Sequence, residues 1–254
     1  MRPYILAENN WKSIRENKIE LAILPWGATE AHNYHLPYAT DNIQCDYIAA
    51  ESARKAWEKT ENFTVLPTVP FGVNTGQSDI LLDLNVLPST QLTILKDLAT
   101  VLNRQRIPKL LLINGHGGND FKPLLRELGY LFPDMFFTLC NWYTVLDIGD
   151  YFRKENCNHA GEMETSVMMT IEPKLVFPLS EAGDGFEKKS KIQGIREGWV
   201  WAERKWSQVT KDTGIGNPAN ASVEKGKKFL VDLTDRISEL IIDLVHADLK
   251  DLYA

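Results

Sequence analysis

The chain has 254 residues, 44% hydrophobic and 24% charged, which is globular composition with length enough to bury a large core in one domain spanning 1–254. A net charge of −6 with no lysine- or arginine-rich block excludes the electrostatic footprint of a nucleic-acid binder and leaves a small-molecule substrate as the expectation. No apolar run approaches the ~20 residues that span a bilayer, and the N-terminus lacks a basic region followed by an apolar one, so a soluble, cytoplasmic protein with no membrane partner is expected. Cys45, Cys140 and Cys157 are an odd number of cysteines, better suited to reduced thiols than to a disulfide framework.

In chain order, the first informative stretch is residues 21–41, LAILPWGATEAHNYHLPYATD. An apolar run from Leu21 to Leu24 ends at Pro25 and opens into a loop bearing Glu30, His32, His35 and Asp41. Carboxylate oxygen and imidazole nitrogen are ligands of Zn²⁺, Mn²⁺ and Fe²⁺, and residues two apart on an extended segment can reach two different ions, with Asp41 able to bridge them. The bland alternative is a polar loop in which Glu30 caps a turn. Apolar side chains at Ile43, Tyr47, Ile48 and Trp57 then predict a helix beginning at Asp41 or Asn42.

Phe63 to Val69 reads as a second strand broken by prolines, entering a polar, glycine-bearing loop, FGVNTGQSDILLDLN, suited to lining a pocket. Ser89 to Arg104 is predicted helical behind a Ser-Thr cap signal. Lys109 to Ile113, KLLLI, has the continuous apolar character of a strand buried on both faces. It runs into NGHGGN, residues 114–119, where glycines permit a sharp turn and His116 is the metal-competent side chain. A helix follows with Phe121, Leu124, Leu125 and Leu128 on one face.

Residues 135–141 form the fourth strand candidate and deliver Trp142 and Tyr143. In CNHAGEMETS, residues 157–166, His159 and Glu162 are three apart and would share a helix face, with Glu164 roughly 200° round from Glu162, so only one glutamate easily shares a site with His159. Residues 180–220 show no regular period, and Trp199, Trp201 and Trp206 are read as packing or subunit-interface anchors. A long amphipathic helix from Ser222 to Leu252 closes the chain, with His246 structural. Alternating strands and helices argue for a three-layer αβα fold with a mainly parallel sheet, whose ligands gather at the carboxyl ends of the strands.

GATEAHNYHLPYATD, NGHGGN after an apolar strand, HAGEMETS and TGIGNPANASVEKG, in that order over most of the chain, together resemble the creatininase (creatinine amidohydrolase) family. The resemblance implies an αβα fold, a homohexamer, and two divalent ions, Zn²⁺ first with Mn²⁺ or Fe²⁺ as alternatives, that hydrolyse non-peptide C–N bonds. It assigns Glu30 and His116 to one metal, His32 to the other and Asp41 as the bridge. Creatininase proper has a glutamate two residues after the histidine of the glycine-rich turn, where this chain has Gly118. Glu162 is therefore expected as the replacement ligand, with Glu164 behind it. His159 would give a proton to the leaving nitrogen, His35 would orient Glu30 or Asp41, and Trp142 would wall the pocket with loop 71–80. This departure, and a 71–88 loop without the family's usual His and FPGT-like pattern, argue against creatinine as the expected substrate. Formamide deformylation or trimming of a small modified peptide are alternatives, and an inactive oligomeric metal-binding scaffold is one of another class.

Overall fold

The apolar runs of the sequence become four short strands, three of them buried along their whole length and the last, at a sheet edge, mostly half-buried. In the computed structural model, which describes residues 1–253, these are β1 (Leu21–Trp26), β2 (Phe63–Val65), β3 (Lys109–Asn114) and β4 (Phe136–Asn141). The last position of the expected 1–254 domain lies outside the described residues. The strands form one parallel sheet in the order β2-β1-β3-β4, with Leu21 opposite both Phe63 and Lys109, and Lys109 opposite Phe136.

Among the described residues eight α-helices accompany the sheet: α1 (Trp11–Ile14), α2 (Thr40–Trp57), α3 (Pro88–Arg104), α4 (Lys122–Leu131), α5 (Glu162–Ile171), α6 (Gln193–Arg196), α7 (Trp206–Val209) and α8 (Val223–His246). Successive side chains of a strand point to opposite faces. Leu21, Ile23, Leu111 and Ile113 accordingly join one core with Ile48 of α2, Val167 of α5 and Phe229 and Leu233 of α8. Ala22, Leu24, Leu110 and Leu112 join a second with Leu95 and Leu102 of α3 and Leu124 and Leu128 of α4. The layers are therefore helix, sheet, helix, as the alternating pattern implied. No helix among the described residues is long and apolar enough to cross a membrane.

Several boundaries differ from the sequence expectation for identifiable reasons. β1 continues through Pro25 to Trp26, because β2 has already ended at Val65 and no ladder bond is asked of the missing proline N–H. Val69, expected inside β2, makes only an isolated bridge to Trp26. α3 begins at Pro88, whose fixed φ suits a first turn, rather than at a Ser-Thr cap. α8 ends at His246, six residues short of Leu252, where Lys109 Nζ from β3 donates to the carbonyls of Val245 and Ala247.

Phe229 is fully buried where α8 meets the sheet, whereas Val101 is about half exposed on α3. Phe229→Ala is expected to cost about 3–5 kcal/mol in chemical denaturation, and Val101→Ser no more than about 0.5 kcal/mol.

Candidate metal centre

The carboxyl edge of the sheet is where chain direction changes, and four separate segments deliver polar side chains there. The loop after β1 carries Glu30 and His32, the first turn of α2 carries Asp41, the turn after β3 carries His116, and the approach to α5 with its first turn carries His159 and Glu164. All six are buried. His116 Nδ1 lies 2.9 Å from Glu30 Oε1 and 3.1 Å from Asp41 Oδ2, while His32 Nε2 lies 3.0 Å from Asp41 Oδ1. His159 Nδ1 is 3.7 Å from Glu30 Oε1. Three sets of ligand atoms fall within 4.8 Å of one another: Glu30, Asp41 and His116; His32, Asp41 and Glu164; and Glu30, His32 and His159.

The opposite edges of the three imidazoles decide what this cluster can do. Each ring donates its other N–H to a backbone carbonyl: His32 Nδ1 to Glu30, His116 Nε2 to Val73 and His159 Nε2 to Ala31, at 3.1, 3.1 and 2.9 Å. A neutral imidazole so anchored presents a bare nitrogen on its inward side, the tautomer a metal ligand requires. Apart from those close imidazole–carboxylate approaches within the cluster, His32 Nε2 and Asp41 Oδ2 have no hydrogen-bond partner despite full burial. Buried polar atoms without partners are rare, and here their donor set of nitrogen and carboxylate oxygen fits a divalent cation.

Burial disfavours charge throughout, but the close opposite charges win for most groups. Asp41, with Glu164 and Glu30 behind it, raises His32 to about 10 against its burial, and Glu30 and Asp41 likewise lift His116 well above the ordinary histidine value. Against burial, His116 and His159 hold Glu30 low, and His32 and His116 hold Asp41 below the usual carboxylate range. Glu164 is pushed up to about 7 by burial and by Asp41, and His159 down to about 4 by burial and by His32.

A shell of amides and backbone groups fixes the cluster. Asn114 Oδ1 accepts from the His116 amide and its Nδ2 donates to the His116 carbonyl, while Asn119 Nδ2 donates to Asn114 Oδ1 and Asn119 Oδ1 accepts from Val73 N and Gln91 Nε2. The two asparagines of NGHGGN thus hold the turn that its glycines allow. Gly118 cannot be replaced cheaply, since a Cβ there would stand 2.3 Å from the Val73 carbonyl oxygen and 2.4 Å from His116 Nε2. Gln77 donates to Glu30 Oε2, and Asp83 Oδ1 accepts from the Ala31 amide at 2.6 Å. On the other side His159 exchanges both backbone hydrogen bonds with Ile215, and Thr213 Oγ1 accepts from the Asn33 amide at 2.9 Å. The TGIG segment is therefore a clasp across the histidine loops.

Three expected placements need correction. Glu162 opens α5 but turns its carboxylate to Lys225 Nζ and the Arg153 amide, while Glu164 brings its own alongside His32 and Asp41. The i, i+3 argument pairing His159 with Glu162 does not apply, because α5 starts only at Glu162 and Ala160, at φ +52°, breaks the chain direction between them. His35 makes no hydrogen bond to Glu30 or Asp41; its Nε2 lies 2.8 Å from Thr165 Oγ1, joining the histidine loop to α5. Trp142 is fully buried against Tyr143 and Phe229 in the core, and Tyr143 instead lines the cavity. Gln77, Asp83, Asn114 and Asn119 have no individual role in the sequence reading, although Gln77 and Asp83 stand in the stretch expected to line the pocket and the asparagines in the NGHGGN motif. The cavity over the cluster has a volume of about 380 Å³, and residues 73–77 and 201–204 with Trp206 form much of its wall.

The sequence profile of the Creatininase family, described as creatinine amidohydrolase, matches residues 7–241. The chain belongs to the creatininase family. A proposed creatinine amidohydrolase from Bacteroides fragilis is 39% identical, superposes with a TM-score of 0.92, and shares 99% of this chain and 100% of that one. Creatininase itself, in a Zn-Zn type of a glutamate-to-glutamine variant, has the same fold at a TM-score of 0.78 and 20% identity, over 96% of this chain and 99% of that one. A creatininase in a manganese form superposes equally well. The mycofactocin precursor peptide peptidase of Mycobacterium ulcerans is 24% identical over 84% of this chain and 81% of its own length. The family is described as one of amidohydrolases, and creatininase itself has been solved in zinc and manganese forms.

Without metal, His32 (raised from 6.5 to about 10) and Glu164 (raised from 4.5 to about 7) both bind protons more tightly in the folded chain. Their contribution to stability is complete below their unfolded values and lost as pH rises through about 7 for Glu164 and about 10 for His32. The melting temperature of the metal-free protein is expected to fall between pH 6 and 10, and that of the zinc-loaded protein to resist this fall, because ligands bind metal deprotonated.

Proposed function

We propose that this chain is a two-metal amidohydrolase cleaving a non-peptide amide or cyclic-amide C–N bond of a small molecule. The observation that carries it is the arrangement of three imidazoles, each anchored on a backbone carbonyl, with their inward nitrogens turned to Glu30, Asp41 and Glu164. Glu30, Asp41 and His116 would hold one ion and His32, Asp41 and Glu164 the other, with Asp41 shared. Zn²⁺ is the first expectation, with Mn²⁺ and Fe²⁺ as alternatives, since nitrogen and carboxylate donors suit all three. Such ions, when bound, lower the pKa of a coordinated water and polarise a carbonyl.

The chain's own contribution is a proton path and a held geometry. His159 is neutral, and its Nδ1 faces Glu30 at the cavity wall while Nε2–H is fixed on Ala31. Nδ1 takes a proton from the attacking water and returns it to the leaving nitrogen, turning a poor amide leaving group into an amine. Gln77 keeps Glu30 oriented, and Ala160 N does the same for Glu164 Oε2 at 2.5 Å. Assembly as a homo-oligomer, hexameric by family likeness, and a cytoplasmic setting complete the reading.

Trimming of a short peptide is a second reading, favoured by the likeness to the mycofactocin precursor peptide peptidase. An amide panel set beside short peptides separates the two.

Elemental analysis should show about two ions per chain in the wild type, about one in E164Q and about two in E162Q, since removing a ligand weakens metal affinity. No metal after preparation in metal-replete medium would sink the two-metal reading. His159→Asn should lower kcat by about 10²–10⁴-fold with both ions retained, as expected for loss of a general acid–base.

A further inference from the structure

The cavity is acidic at its floor, and its wall carries only one lysine or arginine among the described residues, Arg204. The Arg204 guanidinium lies over the Trp206 ring at 4.6 Å, and Trp206 meets the His159 ring edge-on at 5.3 Å. Trp206 is itself buried and tethered by its Nε1–H to the Thr213 carbonyl at 2.9 Å. Arg204 is thereby propped on a fixed aromatic platform that also abuts the proton-handling histidine. Its one ionic neighbour, Glu187, is 3.7 Å from a terminal nitrogen, and no hydrogen bond engages its side-chain N–H groups among the described residues. Glu203, the preceding residue on the wall, accepts from the Thr75 hydroxyl at 2.9 Å.

A guanidinium stacked on an indole keeps its planar fork of donors in one orientation at little entropic cost, and that fork matches a carboxylate in bidentate fashion. Laid end to end, the 4.6 Å and 5.3 Å separations limit the distance from the His159 ring to the guanidinium to about 10 Å, room for a hydrogen bond at each end and a few bonded atoms between them. We infer that Arg204 determines specificity by binding a carboxylate of the substrate, so that the amide hydrolysed at the cluster carries a distal carboxylate a few atoms from its nitrogen. The inference rests on the amidohydrolase reading and narrows its substrate class. The rim segment also touches the site from behind: a Cβ at Gly76 would stand 2.3 Å from the Arg204 carbonyl oxygen, and Gln77 beside it donates to Glu30. Substrate docking at Arg204 is thus mechanically close to a proposed metal ligand.

The test uses three amides with one acetamide bond and different tails: N-acetyl-β-alanine (anionic), N-propylacetamide (neutral) and N-acetylethylenediamine (cationic). Binding to the zinc-loaded wild type, R204M and R204K is measured by calorimetry, and turnover by amine release. The anionic amide is expected to bind the wild type about tenfold or more tighter than the neutral one, with the difference in KM rather than kcat. That ratio should collapse in R204M and recover partly in R204K, which keeps the charge but not the fork. Any direct contact between a metal ion and the carboxylate is common to wild type and variants and cancels in the comparison. An unchanged ratio in R204M, no detectable binding of the anionic amide, or preference for the cationic amide overturns the inference. Absence of turnover with any amide counts against the hydrolase reading, while the binding ratio still decides the role of Arg204.

Discussion

Burying three carboxylates together is the constraint on which this structure depends. Glu30, Asp41 and Glu164 sit in one pocket with almost no contact with water, where like charges repel strongly and desolvation penalises each. Such a cluster persists only if cations converge on it, and the fold supplies three imidazoles from three different segments. In the metal-free chain protons on His32 and His116 provide the balance, which is why both are raised so far despite their burial. A divalent ion would provide it with less proton binding, and the anchoring of each outer N–H on a backbone carbonyl prepares the rings for that exchange.

Holding six side chains from four segments in register asks for a rigid frame, and the frame consists largely of hydrogen bonds to backbone. The asparagines of the 114–119 turn, Gln77 on Glu30, and the exchange between His159 and Ile215 each remove freedom from one element of the cluster. Asn33 and Ala160, each directly after a site histidine, adopt left-handed φ values of 55° and 52° that a side chain disfavours. Asn33 is compensated by Thr213 and Gly183, and Ala160 by the carboxylate of Glu164. The Glu162–Lys225 pair works at a further remove, tying the first turn of α5 to that of α8.

The same logic separates the two tryptophan environments of the 199–206 segment, which the sequence presented as one cluster. Trp206 is buried and braces His159, whereas Trp199 and Trp201 are 71% and 82% exposed. Trp206 takes the packing role, while the exposed Trp199 and Trp201 are left with the subunit-interface role that the sequence offered beside it. Spacing alone cannot distinguish them, because the segment has no regular period from which a buried face could be read.

The sequence by itself determined the layer order, the parallel sheet and the gathering of Glu30, His32, Asp41, His116 and His159 at its carboxyl edge, since strand burial and chain direction follow from local patterns of apolar residues and turns. Tertiary structure decided which glutamate joins them. Glu162 and Glu164 are chemically identical and two residues apart, and their choice turned on the left-handed Ala160 and on the distant Lys225, neither of which leaves a periodic trace. Long-range partners also decided the fates of His35, captured by Thr165, and of Trp142, captured by Phe229 of α8. Contacts of this kind span about a hundred residues of sequence and are set by packing, which a local pattern of polarity does not encode.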